Sequence, residues 1–467
     1  MITARPPIVL TAQLVADVTG GRLASGRADQ VFAGVAIDSR QPLDGKLFVA
    51  LRGDRFDGHE FVSQAVAQGA VGVLVMEAAA ETRGVAAIAV ADTLAALHAL
   101  AHYVRVESGS VVIAITGSAG KTTTKEVTAE LLSTRYRVFR NRGNFNNHIG
   151  LPLSLMELTD CPDLAVVELG MNHRGEIRAL TAIATPDVRV WTNVGDAHIG
   201  HLGSREAVAA AKAEILEGSG AETLVVANAD DPLVMAHIAS FGGRLRTFGE
   251  SPSADVRAHD VVDRGFDGTT ASVTTRTGIC HLRVPLAGRA HLFNVLAAMT
   301  VALEFGIPLS TIEERVALLR PVARRGASLT LRGGARLVDD SYNASPAAVL
   351  AALQALAATP ADGRRIAVIG EMLELGSMSR ALHEECGRTA ARLAIDVLMT
   401  IGGGDADALG AAAVAAGMPT ARVYRFADSH LAAEQTTSLV GPGDLVLVKG
   451  SRGTRTDIVS DRLLEVA

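Results

Sequence analysis

The sequence has few aromatic residues, few cysteines and no excess of positive charge. Phenylalanine, tryptophan and tyrosine make up 4% of its 467 residues, which argues against stacking of nucleic-acid bases on aromatic side chains. A net charge of -6 also argues against a nucleic-acid partner, because such partners select a basic surface. The three cysteines, Cys161, Cys280 and Cys386, stand far apart and indicate reduced cytosolic thiols rather than disulfides or a zinc site.

Long hydrophobic runs are scarce as well. No stretch approaches the roughly 18 apolar residues of a membrane-spanning helix. Gln13 and Asp17 interrupt the N-terminal region, so no signal peptide is expected and the predicted location is the cytoplasm. With 48% apolar and 20% charged residues the composition is typical of a globular protein. At roughly 150 residues per domain the length predicts about three domains.

Strand and helix patterns divide the chain into three α/β units, at 1–108, 109–318 and 319–467. In the central unit, apolar runs alternate with helical segments, which predicts a parallel sheet. Residues 251–286 alternate apolar and polar side chains and predict an antiparallel addition. The predicted strands are 47–51 and 71–75 in the first unit, 111–116, 164–169, 188–194 and 223–228 in the second, and 336–339, 365–369, 397–401 and 445–449 in the third. The polar stretch 107–110 is interpreted as a linker.

One stretch of the central unit has the pattern of a phosphate-binding loop. It runs Thr116-Gly117-Ser118-Ala119-Gly120-Lys121-Thr122-Thr123, after an apolar strand and before a helix. Glycines let backbone N–H groups approach an anion, and the helix N-terminus adds partial positive charge. In such loops the lysine reaches the terminal phosphates and the next hydroxyl ligates Mg²⁺, so Lys121 and Thr122 are predicted for these roles. The commonest form of the pattern has a glycine where this chain has Ile115.

Three more residues of the central unit carry chemistry that a bound nucleotide needs. Glu168 ends a predicted parallel strand, where a carboxylate faces the ligand crevice and can hold Mg²⁺. His198 follows the next strand. Lys212 lies in a helix among alanines, where burial would lower its pKa and leave a reactive neutral amine. Taken singly, the three residues have ordinary structural explanations as well. Glu168 could be a helix cap or a salt-bridge partner, His198 a partly buried polar residue, and Lys212 an exposed helix lysine.

In combination these residues resemble the Mur ligases, the amide-bond-forming enzymes of peptidoglycan precursor assembly. The segment 116–126 carries their T-G-S-x-G-K-T-T loop, and Glu168, His198 and Lys212 fall on their metal-site positions. Further signatures cover nearly the whole chain, at 142–152, 168–177, 339–346, 370–376 and 448–453. These signatures are most similar to the members that add D-alanyl-D-alanine to UDP-N-acetylmuramoyl-tripeptide. One departure is Ser345, where asparagine is usual.

The resemblance implies an ATP-dependent ligase that works through an acyl phosphate on the tripeptide carboxylate. It implies two Mg²⁺ ions, one held by Thr122 and Glu168 and one by His198 and Lys212, with Lys212 carbamylated by CO₂. It implies catalytic roles for Lys121, His198 and Lys212. The other implied contacts are to ATP, at the loop 116–123, His291, Asn294, Arg325 and Asp340, and to the two substrates, at Ser39, Arg40, Asn144, Asn146, Asn147, Tyr342, Asn343, Lys449 and Ser451.

The resemblance also assigns a role to each unit. Residues 1–108 would bind the UDP-sugar, 109–318 would bind ATP, and 319–467 would form a Rossmann-like domain for the incoming dipeptide; a monomer is expected. Three alternatives stay open. The first is the sister ligase that adds the third stem residue. The second is a ligase like folylpolyglutamate synthase, which shares the central unit but lacks the N-terminal module. The third is a nucleotide-binding protein that has lost catalysis.

Overall fold

The structure, a computed structural model, describes residues 5–53, 56–76, 84–143, 145–197, 199–321 and 323–466. Among these residues, sheets of five, nine and six strands follow one another along the chain, together with one two-stranded pair. The predicted three-unit α/β architecture is therefore confirmed. The domain boundaries proposed at 108/109 and 318/319 stay a prediction.

The N-terminal unit is a small, mostly parallel sheet. Its elements are β1 (Leu10–Thr11), β2 (Arg22–Ser25), β3 (Val31–Phe32), β4 (Val35–Ala36), β5 (Leu47–Val49), β6 (Gly72–Met76), β7 (Ala86–Val90), α1 (Ala12–Thr19), α2 (Val62–Ala67) and α3 (Thr93–Ser108). The strands are ordered β2-β7-β6-β5-β4, and β2 is the antiparallel member. The short strands β1 and β3 pair with each other. The two strands predicted here, 47–51 and 71–75, correspond to β5 and β6.

The central unit contains the largest sheet. Its elements are β8 (Val111–Thr116), β9 (Val138–Arg140), β10 (Leu164–Glu168), β11 (Val188–Trp191), β12 (Leu224–Asn228), β13 (Arg244–Gly249), β14 (Val256–Asp263), β15 (Thr269–Thr275), β16 (Gly278–Val284), α4 (Lys121–Leu132), α5 (Gly150–Leu155), α6 (Glu176–Ala184), α7 (Ile199–Leu202), α8 (Arg205–Ala213), α9 (Pro232–Ile238), α10 (Arg289–Glu304) and α11 (Leu309–Ala317). The strands from β8 to β14 pair in parallel, and β14, β15 and β16 pair antiparallel. Both the parallel sheet and the antiparallel addition are as predicted.

The order of strands in the central sheet creates the functional edge. The order is β16-β15-β14-β13-β12-β11-β8-β10-β9, so β8 lies between β10 and β11. After β8 the chain builds β9 and β10 on one side and then returns to build β11 on the other. Ligands of open α/β sheets bind where the strand order reverses in this way, outside the carboxyl ends of the strands. The ends of β8, β10 and β11 therefore meet at one place.

The C-terminal unit contains a parallel sheet with one antiparallel edge strand. Its elements are β17 (Ala327–Thr330), β18 (Arg336–Asp340), β19 (Arg365–Gly370), β20 (Val397–Ile401), β21 (Val423–Phe426), β22 (Leu445–Lys449), α12 (Pro346–Ala358), α13 (Ser379–Arg392), α14 (Gly404–Ala415), α15 (Ser429–Leu439) and α16 (Asp457–Val466). The strands are ordered β17-β18-β22-β19-β20-β21, and β17 is the antiparallel strand. Asp340 and Lys449 are paired in register at the carboxyl ends of β18 and β22. All four strands predicted in this unit are present.

The junction between the first two units, interpreted from the sequence as a linker, is a packed helix end. Gly109 ends α3 in the left-handed region, with φ of 63°. Ser108 and Ser110 on either side of it are buried and hydrogen-bonded. The side chain of Arg105 on α3 crosses this junction and explains the packing. Its Nε donates to Ala184 O at 2.7 Å, and its Nη2 donates to Thr185 O at 2.8 Å and to Asp187 Oδ2 at 2.7 Å.

Two expectations about the whole chain can be compared with the structure. No helix in the described ranges is both long enough and apolar enough to cross a bilayer. The three cysteines are buried and free, as predicted. Burial raises the pKa of Cys386 to about 12 and that of Cys280 to about 11, which keeps both thiols protonated.

Replacing Arg105 by alanine should destabilise the central unit. The change removes the donor from the buried carbonyl of Ala184 and the partly buried carbonyl of Thr185, and it leaves Asp187 without its cation. The free energy of unfolding should therefore fall by about 2–3 kcal/mol. Trp191, the one tryptophan of the sequence, is buried in this unit and reports its unfolding in urea by fluorescence. The control Arg27→Ala removes an exposed arginine that pairs with exposed Asp29, and it should change the value by less than about 0.5 kcal/mol. Equal effects of the two changes would contradict this role of Arg105.

Candidate active site

The phosphate-binding loop lies between β8 and α4, at the centre of the functional edge. Gly117 and Gly120 both have positive φ angles, 154° and 80°. Neither has room for a side chain: a Cβ on Gly117 would lie 1.9 Å from Thr192 Oγ1, and one on Gly120 would lie 2.1 Å from Asn294 Oδ1. The loop backbone therefore packs directly against neighbouring polar groups and leads into the N-terminus of α4, which is the geometry that phosphate binding requires.

Sequence reasoning missed the residues that hold this loop in place. Thr192 and Asn193 follow β11, and Thr192 Oγ1 donates to Ala119 O at 2.8 Å. Asn193 Oδ1 accepts from Ala119 N at 2.9 Å, and Asn193 Nδ2 donates to Ala119 O at 3.1 Å. Ser118 Oγ accepts from Gly195 N at 2.8 Å. A signal for these residues was present in the sequence, because polar side chains that directly follow a buried parallel strand lie at the ligand edge.

Lys121 lies among charged groups from two units. Its Nζ donates to Gly117 O at 2.7 Å. Burial lowers the pKa of Lys121, the carboxylate of Glu168 opposes this shift, and the guanidinium of Arg325 adds to it. Lys121 in the central unit and Arg325 in the C-terminal unit therefore interact electrostatically. A phosphate between them would be attracted by both cations and would restore the charged form of the lysine.

Glu168 is buried at the end of β10 and is held through both carboxylate oxygens. Thr122 Oγ1 donates to Glu168 Oε2 at 2.9 Å, and Asn146 Nδ2 donates to Glu168 Oε1 at 2.7 Å. Carboxylate and hydroxyl oxygens are the ligands that Mg²⁺ prefers, so Thr122 and Glu168 fit a Mg²⁺ ion beside the phosphates. Asn146 was predicted as a substrate contact. The structure places it on this carboxylate, and the substrate role stays a prediction.

Lys212 lies on α8, which ends at Ala213 and continues as a tight turn to Leu216. The residue is 1% exposed, more deeply buried than the sequence indicated. Burial lowers the pKa of Lys212 well below its ordinary value, and the charge of Lys121 lowers it further. Both effects shift Lys212 toward the neutral amine, which is the direction that the sequence predicts. Within the described ranges, no cluster of three or more histidine, cysteine, aspartate or glutamate side chains could hold a metal.

The C-terminal unit brings a second group of predicted residues to the same place. Lys449 Nζ donates to Asp340 Oδ2 at 2.6 Å and to Asn343 O at 3.0 Å. Burial lowers the pKa of His291 in the central unit, while the nearby charges of Asp340, Lys449 and Arg325 also act on it. The predicted ATP contacts His291, Asp340 and Arg325 therefore lie close enough to interact, at the seam between two units.

Tyr342 lies under two arginines of the C-terminal unit. The guanidinium carbon of Arg325 is 4.3 Å from the centre of the Tyr342 ring, and that of Arg452 is 6.0 Å from it. Both distances fit cation–π contacts. The preceding residue, Arg324, is instead paired with Asp461 at 3.0 Å. Of Arg324 and Arg325, which are consecutive in the sequence, Arg325 is the one whose charge acts on Lys121 of the phosphate-binding loop.

Several predicted substrate contacts have structural partners of their own. Arg40 is exposed and its Nε and Nη2 each donate to the carboxylate of Asp38 at 2.8 Å, a contact that lowers the pKa of Asp38 to about 2. Ser39 is buried in the N-terminal unit and donates to Gln64 Oε1 at 3.3 Å. Asn147 Oδ1 accepts from Gly150 N at 2.8 Å at the start of α5.

Four further predicted residues remain; the structure describes two of them, Ser451 and Asn294, and the ligand roles of all four stay predictions. Ser451 Oγ accepts from Leu373 N at 3.0 Å and so joins two signature segments of the C-terminal unit. Asn294 is buried against the phosphate-binding loop, where its Oδ1 accepts from Thr124 Oγ1 at 3.4 Å. Asn144 and His198 lie outside the described residues, so their assignments stay predictions.

Comparison with known proteins identifies a family for each of the three units. Three family models match the chain: the Mur ligase family catalytic domain over residues 31–116, the Mur ligase middle domain over 115–302, and the Mur ligase glutamate ligase domain over 324–452. The middle-domain match includes Lys121, Thr122, Glu168 and Lys212. The match to the glutamate ligase domain begins at Arg324 and includes Lys449.

Individual relatives match over nearly the full length. The chain is 34% identical to the UDP-N-acetylmuramoyl-tripeptide--D-alanyl-D-alanine ligase of Bacillus subtilis (strain 168), covering 97% of this chain and 98% of that protein. The crystal structure of MurF from Acinetobacter baumannii is 31% identical, has a TM-score of 0.89 and covers 99% of this chain and 100% of its own. The MurF ligase of Thermotoga maritima in complex with ADP is 29% identical, with a TM-score of 0.81 over 92% of this chain and 97% of its own. The chain therefore belongs to the Mur ligase family of ATP-dependent, amide-bond-forming ligases.

Proposed function

We propose that this ligase joins D-alanyl-D-alanine to UDP-N-acetylmuramoyl-tripeptide at the cost of ATP, in peptidoglycan precursor synthesis. One observation carries the proposal: the identity to the Bacillus subtilis ligase extends over 97% of this chain. It therefore includes the N-terminal and C-terminal units, which must select the two substrates. A ligase that shared only the ATP site would match the central unit best.

The proposed reaction has two steps. In the first, the terminal carboxylate of the tripeptide attacks the γ-phosphorus of ATP, which forms the acyl phosphate and releases ADP. In the second, the amine of D-alanyl-D-alanine attacks the acyl carbon, loses a proton, and displaces inorganic phosphate as the amide bond forms. Lys121 and Arg325 would stabilise negative charge on the transferred phosphoryl group. Their positions from two units support a contribution by orientation and electrostatics.

Thr122 and Glu168 would hold one Mg²⁺ ion, which supplies charge neutralisation at the phosphate oxygens when bound. A second ion is proposed at His198 and Lys212. An unmodified lysine is not a Mg²⁺ ligand, so this proposal includes carbamylation of Lys212. In that step the neutral amine attacks CO₂, an N–C bond forms, and the nitrogen releases a proton to solvent. Deep burial of Lys212, which favours the neutral amine, supports the modification.

Each unit would contribute one part of the reaction. Residues 1–108 would bind the UDP-sugar through Ser39 and Arg40, and residues 109–318 would bind ATP. Residues 319–467 would bind the dipeptide through Tyr342, Asn343, Lys449 and Ser451, while Asp340 contacts ATP. These boundaries and contacts are proposals, as is a monomeric state.

The proposed activity should require all four components. Phosphate release should occur with ATP, Mg²⁺, UDP-N-acetylmuramoyl-tripeptide and D-alanyl-D-alanine together, and omission of any one should abolish it. Release is measured in a coupled phosphate assay, with tripeptides that carry diaminopimelate and lysine tested separately. Equal release with the UDP-sugar dipeptide and a free amino acid would reassign the chain to the ligase that adds the third stem residue.

Lys212→Met should make the protein more stable and less sensitive to pH. The pKa of Lys212 is lowered in the folded state, so the unfolded state binds more protons between that pKa and about 10.4. The free energy of unfolding of the wild type should therefore rise with pH in this window. The methionine variant should lack this contribution to the pH dependence, and it should be more stable than the wild type at the low-pH end of the window. The measurement is the urea midpoint against pH in CO₂-depleted buffer. The control Lys46→Met, at a partly exposed lysine of the N-terminal unit, should keep the pH dependence of the wild-type urea midpoint. The same pH dependence in Lys212→Met as in the wild type would refute the argument.

Lys212→Ala should lose most activity, and short carboxylic acids should restore part of it. Acetate or propionate would supply the missing carboxylate-like oxygens in the space left by the side chain. Lys212→Arg should not be rescued, because its guanidinium keeps positive charge in that space. The readout is phosphate release as a function of acid concentration. An alanine variant with full activity and no added acid would eliminate the carbamate from the mechanism.

A further inference from the structure

Lys125 is a buried lysine to which the proposed reaction assigns no role. It lies on α4, one helical turn after Lys121, and its side chain is 0% exposed. A lysine is rarely buried completely unless its ammonium group is paired and hydrogen-bonded. The contacts of its Nζ therefore indicate what this charge does.

The ammonium group of Lys125 ties α4 to the segment that follows β9. Its Nζ donates to Asn141 O at 2.6 Å and lies 3.2 Å from Glu126 Oε1. The other carboxylate oxygen of Glu126 is 3.1 Å from Arg140 Nη1. Lys125 and its neighbour thus hold two consecutive residues, Arg140 and Asn141, against the helix.

Asn141 passes this connection to the strand that ends at Glu168. Asn141 is itself buried, its Oδ1 accepts from Glu168 N at 3.3 Å, and its Nδ2 donates to Phe145 O at 3.1 Å. The residue after Phe145 is Asn146, whose Nδ2 donates to Glu168 Oε1. Asn146 O also accepts from Gly170 N at 2.8 Å. The backbone and the carboxylate of Glu168 are therefore both held by the segment that Lys125 anchors.

The same helix reaches Glu168 from its other side. Thr122 and Lys125 are three residues apart, so they project from one face of α4. Thr122 contacts Glu168 Oε2 directly, while Lys125 acts on Glu168 Oε1 through Asn141, Phe145 and Asn146. Both oxygens of the carboxylate are thus oriented from α4, one through a single hydrogen bond and one through a chain of contacts.

We propose that Lys125 is a positioning residue, which fixes the segment carrying Asn146 and thereby aims the Glu168 carboxylate at the Mg²⁺ ion of the nucleotide. This inference rests on the proposed function, because it uses Glu168 as a metal ligand. Partners that orient metal ligands typically change metal affinity or activity by about 10–100-fold when removed. A lysine that only filled space would have no such specific effect.

The test measures how far Mg²⁺ raises the affinity of the protein for ADP. Calorimetric titration of ADP with and without Mg²⁺ gives this factor without turnover of the enzyme. In Lys125→Met the factor should fall about 10-fold relative to wild type, while the affinity for ADP alone stays nearly constant because the phosphate-binding loop is intact. In turnover, kcat should fall more than KM for ATP rises. Lys125→Arg, which keeps a charged donor, should retain much of the factor.

A double-mutant cycle separates positioning from general destabilisation. If Lys125 acts through Asn146, the variant Lys125→Met with Asn146→Ala should have the same Mg²⁺ factor as Asn146→Ala alone. Additive losses, or equal losses in the affinity for ADP with and without Mg²⁺, would overturn the proposal. Lys46→Met, the same chemical change away from this edge, should behave as wild type.

The remaining outcomes are also decisive. If Lys125→Met does not fold, judged by the urea transition of Trp191, the cycle is run with the shorter, neutral Lys125→Gln, and additivity there overturns the proposal equally. A wild-type protein that releases no phosphate with its proposed substrates would fail the proposed function instead. A wild-type protein that is active but gains no ADP affinity from Mg²⁺ would reject the positioning role alone.

Discussion

The functional edge of this ligase is organised around two lysines whose charged forms are disfavoured until an anion binds. Lys121 and Lys212 interact with each other, and burial lowers the pKa of both. Glu168 opposes this shift for Lys121, while Arg325 adds to it. A charge held in a poorly solvated place has a high free energy until a counter-charge arrives. Phosphate groups, and a carbamate on Lys212, are the counter-charges that this arrangement would favour.

The strand order of the central sheet makes that arrangement possible. Because β8 lies between β10 and β11, the phosphate-binding loop, Glu168 and Asn193 come together although more than fifty residues separate the first from the last. The loop needs glycine at two of its positions, since a Cβ on Gly117 or Gly120 would overlap Thr192 or Asn294.

The proposed nucleotide site extends into the C-terminal unit through Arg325 and Asp340. Asp340 and Lys449 are paired at the ends of neighbouring strands of the C-terminal sheet, and Arg325 is stacked on Tyr342 beside them. Charges at this seam act on His291 and Lys121 of the central unit. A ligand that contacts both units would hold them together, so nucleotide binding and the relative position of the units are expected to be coupled.

The sequence by itself determined the architecture and the location of the site. Continuous apolar runs predicted the parallel strands, alternation predicted β15 and β16, and the glycine-rich loop before α4 identified the nucleotide edge. The resemblance identified the family, which the comparisons confirmed. These features are local, or are repeated along the chain, so they can be read without knowing the fold.

Only the tertiary structure decided which distant polar groups meet. Asn146 donates to Glu168, and the side-chain amide of Asn193 bonds the backbone of Ala119. Arg105 packs the helix end at Gly109 against the central unit. Lys125 is buried and donates to the carbonyl of Asn141. A sequence pattern can place Asn193 at the ligand edge, but no pattern names the partner in any of these contacts, because each contact joins residues from separate elements. Their partners are set by strand order and by the requirement that a buried polar group find a hydrogen bond, which is satisfied only once the whole sheet has formed.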